Sequence, residues 1–161
     1  MKARLFASIS LGLAAAAIAV MPTAANAQTA ATDYNYIGAG VGAGGLGGSN
    51  IGLSVNSKFT VANQVSVRPG VITNFDFDSE GTIISVPVTY DLGSITDDGR
   101  LQPYVGGGVS VVTGGDTSVG PMATAGVDYL LTDNFVLNGG VNVSFTDNTR
   151  VNGTLGVGYT F

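Results

Sequence analysis

Eight times over, the chain alternates apolar with small or polar residues for roughly ten to fourteen positions and then breaks at a turn. The segments run Tyr34–Gly44, Asn50–Phe59, Gln64–Phe75, Thr82–Leu92, Leu101–Val112, Ser118–Leu131, Asn134–Phe145 and Val151–Phe161. The last is the clearest. Val151, Gly153, Leu155, Val157, Tyr159 and Phe161 share one parity, and Asn152, Thr154, Gly156, Gly158 and Thr160 the other. Successive side chains of a strand point to opposite faces, so each segment has one apolar and one polar face. Gly, Asn, Asp, Ser and Thr fill the breaks, as at Gly45–Ser49, Asp76–Gly81 and Gly93–Arg100. Two-sided strands, even in number and joined by short turns, predict an all-β, eight-stranded antiparallel up-and-down β-barrel. Their length suits a tilted strand that crosses a bilayer, which needs about 9–11 residues.

Charge decides which face meets which solvent. Lys58, Arg68, Asp91 and Asp128 lie inside the segments, and all four have polar-face parity. A charge on a lipid face near the midplane costs about 2–4 kcal/mol, so the polar face belongs to the lumen. Aromatics mark the other face. Phe59, Tyr90, Tyr129, Phe135, Tyr159 and Phe161 have apolar parity beside the turns at one barrel end, and Phe75 and Phe145 at the opposite end. Two such girdles are expected where rings sit at headgroup level.

The N-terminus reads as a secretory signal peptide, residues 1–27. Lys2 and Arg4 form a positive start, Ile9 to Val20 an apolar run too short to span a bilayer, and Ala25-Asn26-Ala27 a cleavage site. Residues 28–161 form the barrel domain. Removal of Lys2 and Arg4 takes the net charge from −5 to −7, which argues against a nucleic-acid partner. The chain has no Cys, no His and no Trp. The common zinc, haem and copper sites are thereby excluded, as are serine–histidine and cysteine–histidine catalysis. The expectation is a non-enzyme without a cofactor.

Two motifs are set aside. Gly40-Val41-Gly42-Ala43-Gly44-Gly45 matches a dinucleotide fingerprint but lacks the following helix and acidic residue. Asp76-Phe77-Asp78-Ser79-Glu80-Gly81 opens like a calcium loop, yet the position for the bidentate Glu holds Pro87. Pro69 and Pro87 fit poorly inside strands, because proline gives no N–H to the ladder. A hairpin centred near Asp78 sets them opposite each other, where a bulge or a lost wall hydrogen bond is expected.

Pro103-Tyr104-Val105-Gly106-Gly107-Gly108-Val109 resembles the PYVGxG strand of small OmpA-like and OmpX-like outer-membrane β-barrels. The hairpin Gly126-Val127-Asp128-Tyr129-Leu130-Leu131-Thr132-Asp133-Asn134-Phe135 is similar to one of the same superfamily. The ending Tyr159-Thr160-Phe161 resembles its C-terminal assembly signal, carried by Tyr159 and Phe161. The resemblance implies a transmembrane barrel in the outer membrane of a Gram-negative-type bacterium, inserted by the barrel-assembly machinery and contacting outer-membrane lipids. A monomer is expected.

With both termini periplasmic, as in such barrels, the four charges fall in the periplasmic half of the lumen. Two of each sign are expected to pair there, helped by Tyr104, because an unpaired buried charge is costly. An eight-stranded barrel is about filled by its own side chains. Glycines at inward positions leave room for small water-filled cavities. The leading expectation is a structural or envelope protein with a largely filled lumen. A narrow porin-like channel is the alternative. A secreted soluble barrel binding an apolar ligand would instead turn Lys58, Arg68, Asp91 and Asp128 toward water.

Overall fold

A computed structural model describes residues 32–45, 51–75, 81–113 and 116–161. The signal peptide assigned to residues 1–27 and the acidic stretch Asp76–Glu80 lie outside the described residues. Nine strands follow in order: β1 Tyr36–Ala43, β2 Ile51–Ala62, β3 Val65–Val67, β4 Gly70–Asn74, β5 Thr82–Asp91, β6 Leu101–Thr113, β7 Ser118–Leu130, β8 Phe135–Phe145 and β9 Thr149–Thr160. Each pairs antiparallel with its neighbours, and β1 pairs with both β2 and β9, so the sheet closes.

β3 and β4 are two halves of one barrel strand. Phe59 faces Val67 and Asn56 faces Gly70 on one side. Val67 faces Val88 and Gly70 faces Ser85 on the other. Neither register shifts across the break, so the wall has eight strands.

The prolines cause that break, in a way that corrects the expectation. They are not opposite each other. The continuous register sets Pro69 against Ser57 and Pro87 against Arg68. Ser57 donates its N–H to the Pro69 carbonyl at 3.0 Å, and Arg68 to the Pro87 carbonyl at 3.0 Å. Neither proline can return the bond. Two ladder bonds are therefore lost side by side without a bulge. The irregularity in this part of the wall falls at Val61, where the register shifts between Thr60 and Ala62. Beside it Gln64 takes a positive φ of 59° in a tight turn.

Alternation makes the barrel inside-out relative to a soluble one. Leu53, Val55, Val86, Val105, Val109, Val141, Leu155 and Val157 are exposed on the outer face. Ser54, Lys58, Ser66, Thr89, Asp91, Thr124, Asp128 and Asn138 are buried inside. Inward glycines are occupied rather than hollow. A Cβ on Gly126 or Gly140 would stand 2.5 or 2.6 Å from the Tyr104 hydroxyl, and one on Gly42 2.5 Å from the Ile72 side chain. The missing side chains make room for a tyrosine and an isoleucine that lie along the inner wall over neighbouring strands.

Candidate functional site in the lumen

One end of the barrel, here the near mouth, carries the start of β1, the end of β9 and the β2–β3, β5–β6 and β7–β8 turns. Lys58 lies in the second half of β2, Arg68 between β3 and β4, Asp91 at the end of β5, Tyr104 near the start of β6 and Asp128 near the end of β7, so the topology brings all five to this half. The structure joins them. Arg68 Nη2 lies 2.9 Å from Asp91 Oδ1 and 2.9 Å from Asp128 Oδ2. Lys58 Nζ lies 3.2 Å from Asp91 Oδ2. The Arg68 guanidinium stands 3.7 Å from the centre of the Tyr104 ring. The cation thus stands over the π face of the ring, and one nitrogen serves both carboxylates, leaving Nε and Nη1 for other partners.

The remaining hydrogen-bonding capacity is taken by side chains that the sequence reading did not single out. Arg68 Nε donates to Thr89 Oγ1 at 3.0 Å, and Arg68 Nη1 to the Tyr36 hydroxyl at 3.2 Å. Tyr36 donates in turn to Asp128 Oδ1 at 3.3 Å, and Ser66 to Asp91 Oδ2 at 2.6 Å. Tyr34, just ahead of β1, donates to Asp128 Oδ2 at 2.8 Å. Burial and the charge of Asp128 hold the Tyr34 phenol well above its ordinary range, so it stays a donor. Parity could have found both tyrosines, since they share it with Gly38, Gly40 and Gly42 on the polar face of β1.

Beyond the charges lies a cavity of about 50 Å³. Arg68 and Tyr104 bound it toward the near mouth, and Ile72 toward the far one. Asn56 Nδ2 donates to Asn138 Oδ1 across it at 2.6 Å. Ser54 Oγ, Asn56 Oδ1 and Asn138 Nδ2 are buried there without a protein partner. A polar cavity of that size suits about three or four waters.

Ile72, Ile83 and Val112 form a buried apolar cluster in the far half, with the buried polar Ser110, Ser144 and Asn152 in the same half. The sequence reading assigned the whole inner face to small and polar residues, and this layer departs from that. Its members have inward parity: Ile72 with Arg68 and Gly70, Ile83 with Ser85, Val112 with Ser110. Far-mouth contacts lie above it, with Arg150 Nη1 donating to the Gly45 carbonyl at 2.9 Å and Ser118 to Asp147 Oδ2 at 2.5 Å.

The aromatics point outward. At the near end Tyr90, Phe135, Tyr159 and Phe161 are exposed, while Phe59 and Tyr129 are half-buried among neighbours. Phe135 and Tyr159 meet edge to face with centroids 5.7 Å apart. Phe75 and Phe145 are exposed at the far end. Charged side chains inside and valines outside remove the soluble-barrel reading, which needs the faces reversed.

A closed wall with a charged interior, an apolar exterior and aromatic ends defines the class: an eight-stranded antiparallel barrel of the transmembrane type. No family model and no curated protein matches the sequence. Solved structures do match its shape. The N-terminal β-barrel domain of Pseudomonas aeruginosa OprF aligns at 18% identity over 80% of this chain and 98% of that one, with a TM-score of 0.62. Ail, the attachment invasion locus protein of Yersinia pestis, aligns at 17% identity over 80% and 98%, with a TM-score of 0.55. A de novo designed transmembrane β-barrel aligns at 16% identity over 80% and 95%, with a TM-score of 0.59. The fold is thus that of small outer-membrane barrels. A designed barrel matches about as well as the natural ones, so function must be argued from the lumen.

Proposed function

We propose that the chain is an integral outer-membrane protein with a structural, envelope-related role and a lumen closed by its own side chains. The arrangement that carries this reading is the layering of the interior. Ion-paired Lys58, Arg68, Asp91 and Asp128 fill one half. Ile72, Ile83 and Val112 pack one side of the other, with buried Ser110, Met122, Ser144 and Asn152 beside them. The cavity between is about 50 Å³, too small for a solute path. The apolar part of that packing resists wetting, and ion passage needs a wetted path. The near mouth is then periplasmic. Export uses the signal peptide of residues 1–27, and the closing strand with Tyr159 and Phe161 is read by the barrel-assembly machinery. Outer-membrane lipids cover the valine face of a monomer, and no enzymatic chemistry is assigned.

Single-channel recording in planar bilayers tests the closed lumen. The unaltered protein is expected to be silent. Replacing Ile72, Ile83 and Val112 together by Ser is expected to hydrate that packing and give brief openings. Steady conductance by the unaltered protein overturns the reading in favour of a narrow porin-like channel.

A further inference from the structure

Residues 32–34 run into the near mouth ahead of β1 and lie over the charge cluster. Thr32 is only 1% exposed. Lys58 Nζ donates a 2.7 Å hydrogen bond to the Thr32 carbonyl and stands 3.6 Å from the centre of the Tyr34 ring. That ring stacks on Tyr36 with centroids 6.3 Å apart. Its hydroxyl reaches Asp128, and the Tyr34 carbonyl accepts from Thr60 Oγ1 at 3.3 Å. The segment is held by side chains rather than by a strand ladder. The next residue is anchored differently. Asn35 accepts from the backbone N–H of Phe161 at 3.0 Å and, through Oδ1, from that of Thr60 at 2.9 Å.

None of the ion pairs runs through this segment. Lys58 keeps Asp91, and Arg68 keeps both Asp91 and Asp128, whether or not Thr32 and Tyr34 are in place. Withdrawing the segment therefore strands no charge, which is the condition under which a buried charge cluster can be uncovered cheaply. Asn35 forms a fixed pivot next to β1, and the three residues before it can leave as a unit.

We propose that residues 32–34 are a detachable plug. They close the near mouth in the resting barrel, and their withdrawal admits water and small polar solutes to Lys58 and Asp128 from that side. The packed far half, with Ile72, Ile83 and Val112 on one side of it, keeps the far side sealed, so uncovering the mouth does not make the barrel a pore. The plug is independent of the role proposed above, because it concerns access from one side only.

The absence of native cysteine makes the test direct. Ser66 is buried beside Asp91 under the plug. In the full chain carrying Ser66→Cys, folded into detergent micelles, a small charged thiosulfonate reagent should label slowly. Adding Tyr34→Ala should raise the labelling rate at least about tenfold, with the strand signal of the barrel unchanged and its thermal unfolding still a single transition. An unchanged rate in a folded Tyr34→Ala barrel overturns the plug. A second measurement needs no substitution. In the unaltered protein, amides of residues 32–34 should exchange with solvent about a hundredfold faster than those of β1, reporting opening without unfolding. Equal protection of the two segments would overturn the proposal even if the variant failed to fold.

Discussion

The guanidinium of Arg68 lies over the ring of Tyr104, 3.7 Å from its centre, while its Nη2 bridges Asp91 and Asp128. That one nitrogen ties together two carboxylates from β5 and β7, which flank β6 in the wall. Lys58 completes the charge balance. Removing one partner of such a buried group leaves a charge without compensation, which costs about 3–5 kcal/mol. Asp91→Asn should therefore lower barrel stability by about that amount in urea unfolding from micelles. Asp98→Asn should leave it unchanged, because Asp98 is half exposed and stands 3.9 Å from Arg100. Adding Lys58→Met to Asp91→Asn removes the second charge of the pair and leaves Arg68 with Asp128. The double variant should recover most of the loss; if its loss equals the sum of the two single ones, the charges are not acting as a network.

Tyr104 reaches this position because β7 and β8 beside it carry Gly126 and Gly140 where its ring lies. A Cβ on Gly126 would stand 2.5 Å from the Tyr104 hydroxyl and also meet the Gly139 carbonyl. Gly126→Val should push the ring aside, disturb the seat of Arg68 and cost about 1–3 kcal/mol, the usual range for overpacking. Gly153 provides the control, since the nearest atom to its Cβ position is the Gly140 carbonyl at 3.8 Å on the outer face. Gly153→Val should be tolerated. An undiminished loss when Gly126→Val is added to Tyr104→Ala, measured by the same urea titration, would show that the nearer Gly139 carbonyl and not Tyr104 requires the glycine.

Most of this architecture is legible in the chain because period 2 is a local property. The parity of Lys58, Arg68, Asp91 and Asp128 places them inside from their own neighbours, and the strand direction places them in the same half. Which charge meets which is a matter of register across several hairpins, and local pattern does not carry it. The same limit explains Pro69 and Pro87. Their alignment depends on the length of the turn between β4 and β5, and one residue of shift moves them from opposed to diagonal. Tyr34 and Tyr36 were within reach, since their parity is that of the inner glycines. Ile72, Ile83 and Val112 were harder, because apolar residues on a nominally polar face have meaning only when three strands bring them together.

The outer face should show the depth dependence of a bilayer. Val141 pairs with Ala125 and Gly153 near the middle of the wall and is 53% exposed. Val119 pairs with Val111 near the far rim and is 64% exposed. In phospholipid vesicles, Val141→Arg should cost about 2–4 kcal/mol and Val119→Arg about 0–1. Accessibility alone would hardly separate them, at 53% and 64%, so in a uniform solvent both substitutions would cost about the same. Equal costs would remove the lipid-facing assignment of this surface.

The proline seam makes the last prediction. Arg68 gives its N–H to the Pro87 carbonyl, and Ser57 gives its own to the Pro69 carbonyl, each at 3.0 Å. In a regular ladder each of these pairs exchanges two bonds, and here each has one. Replacing Pro87 by Ala supplies an N–H aimed at the Arg68 carbonyl, and Pro69→Ala one aimed at that of Ser57. A wall hydrogen bond contributes about 0.5–1.5 kcal/mol, while the freedom that alanine restores to the unfolded chain removes about 0.4–1. Net stability should consequently change little. Amide exchange separates the two terms: the new N–H groups at 69 and 87 should be protected as strongly as their neighbours in β4 and β5. Rapid exchange at both would mean that the wall is open at this point for a reason other than the missing donors, and that the continuous register does not describe a closed seam.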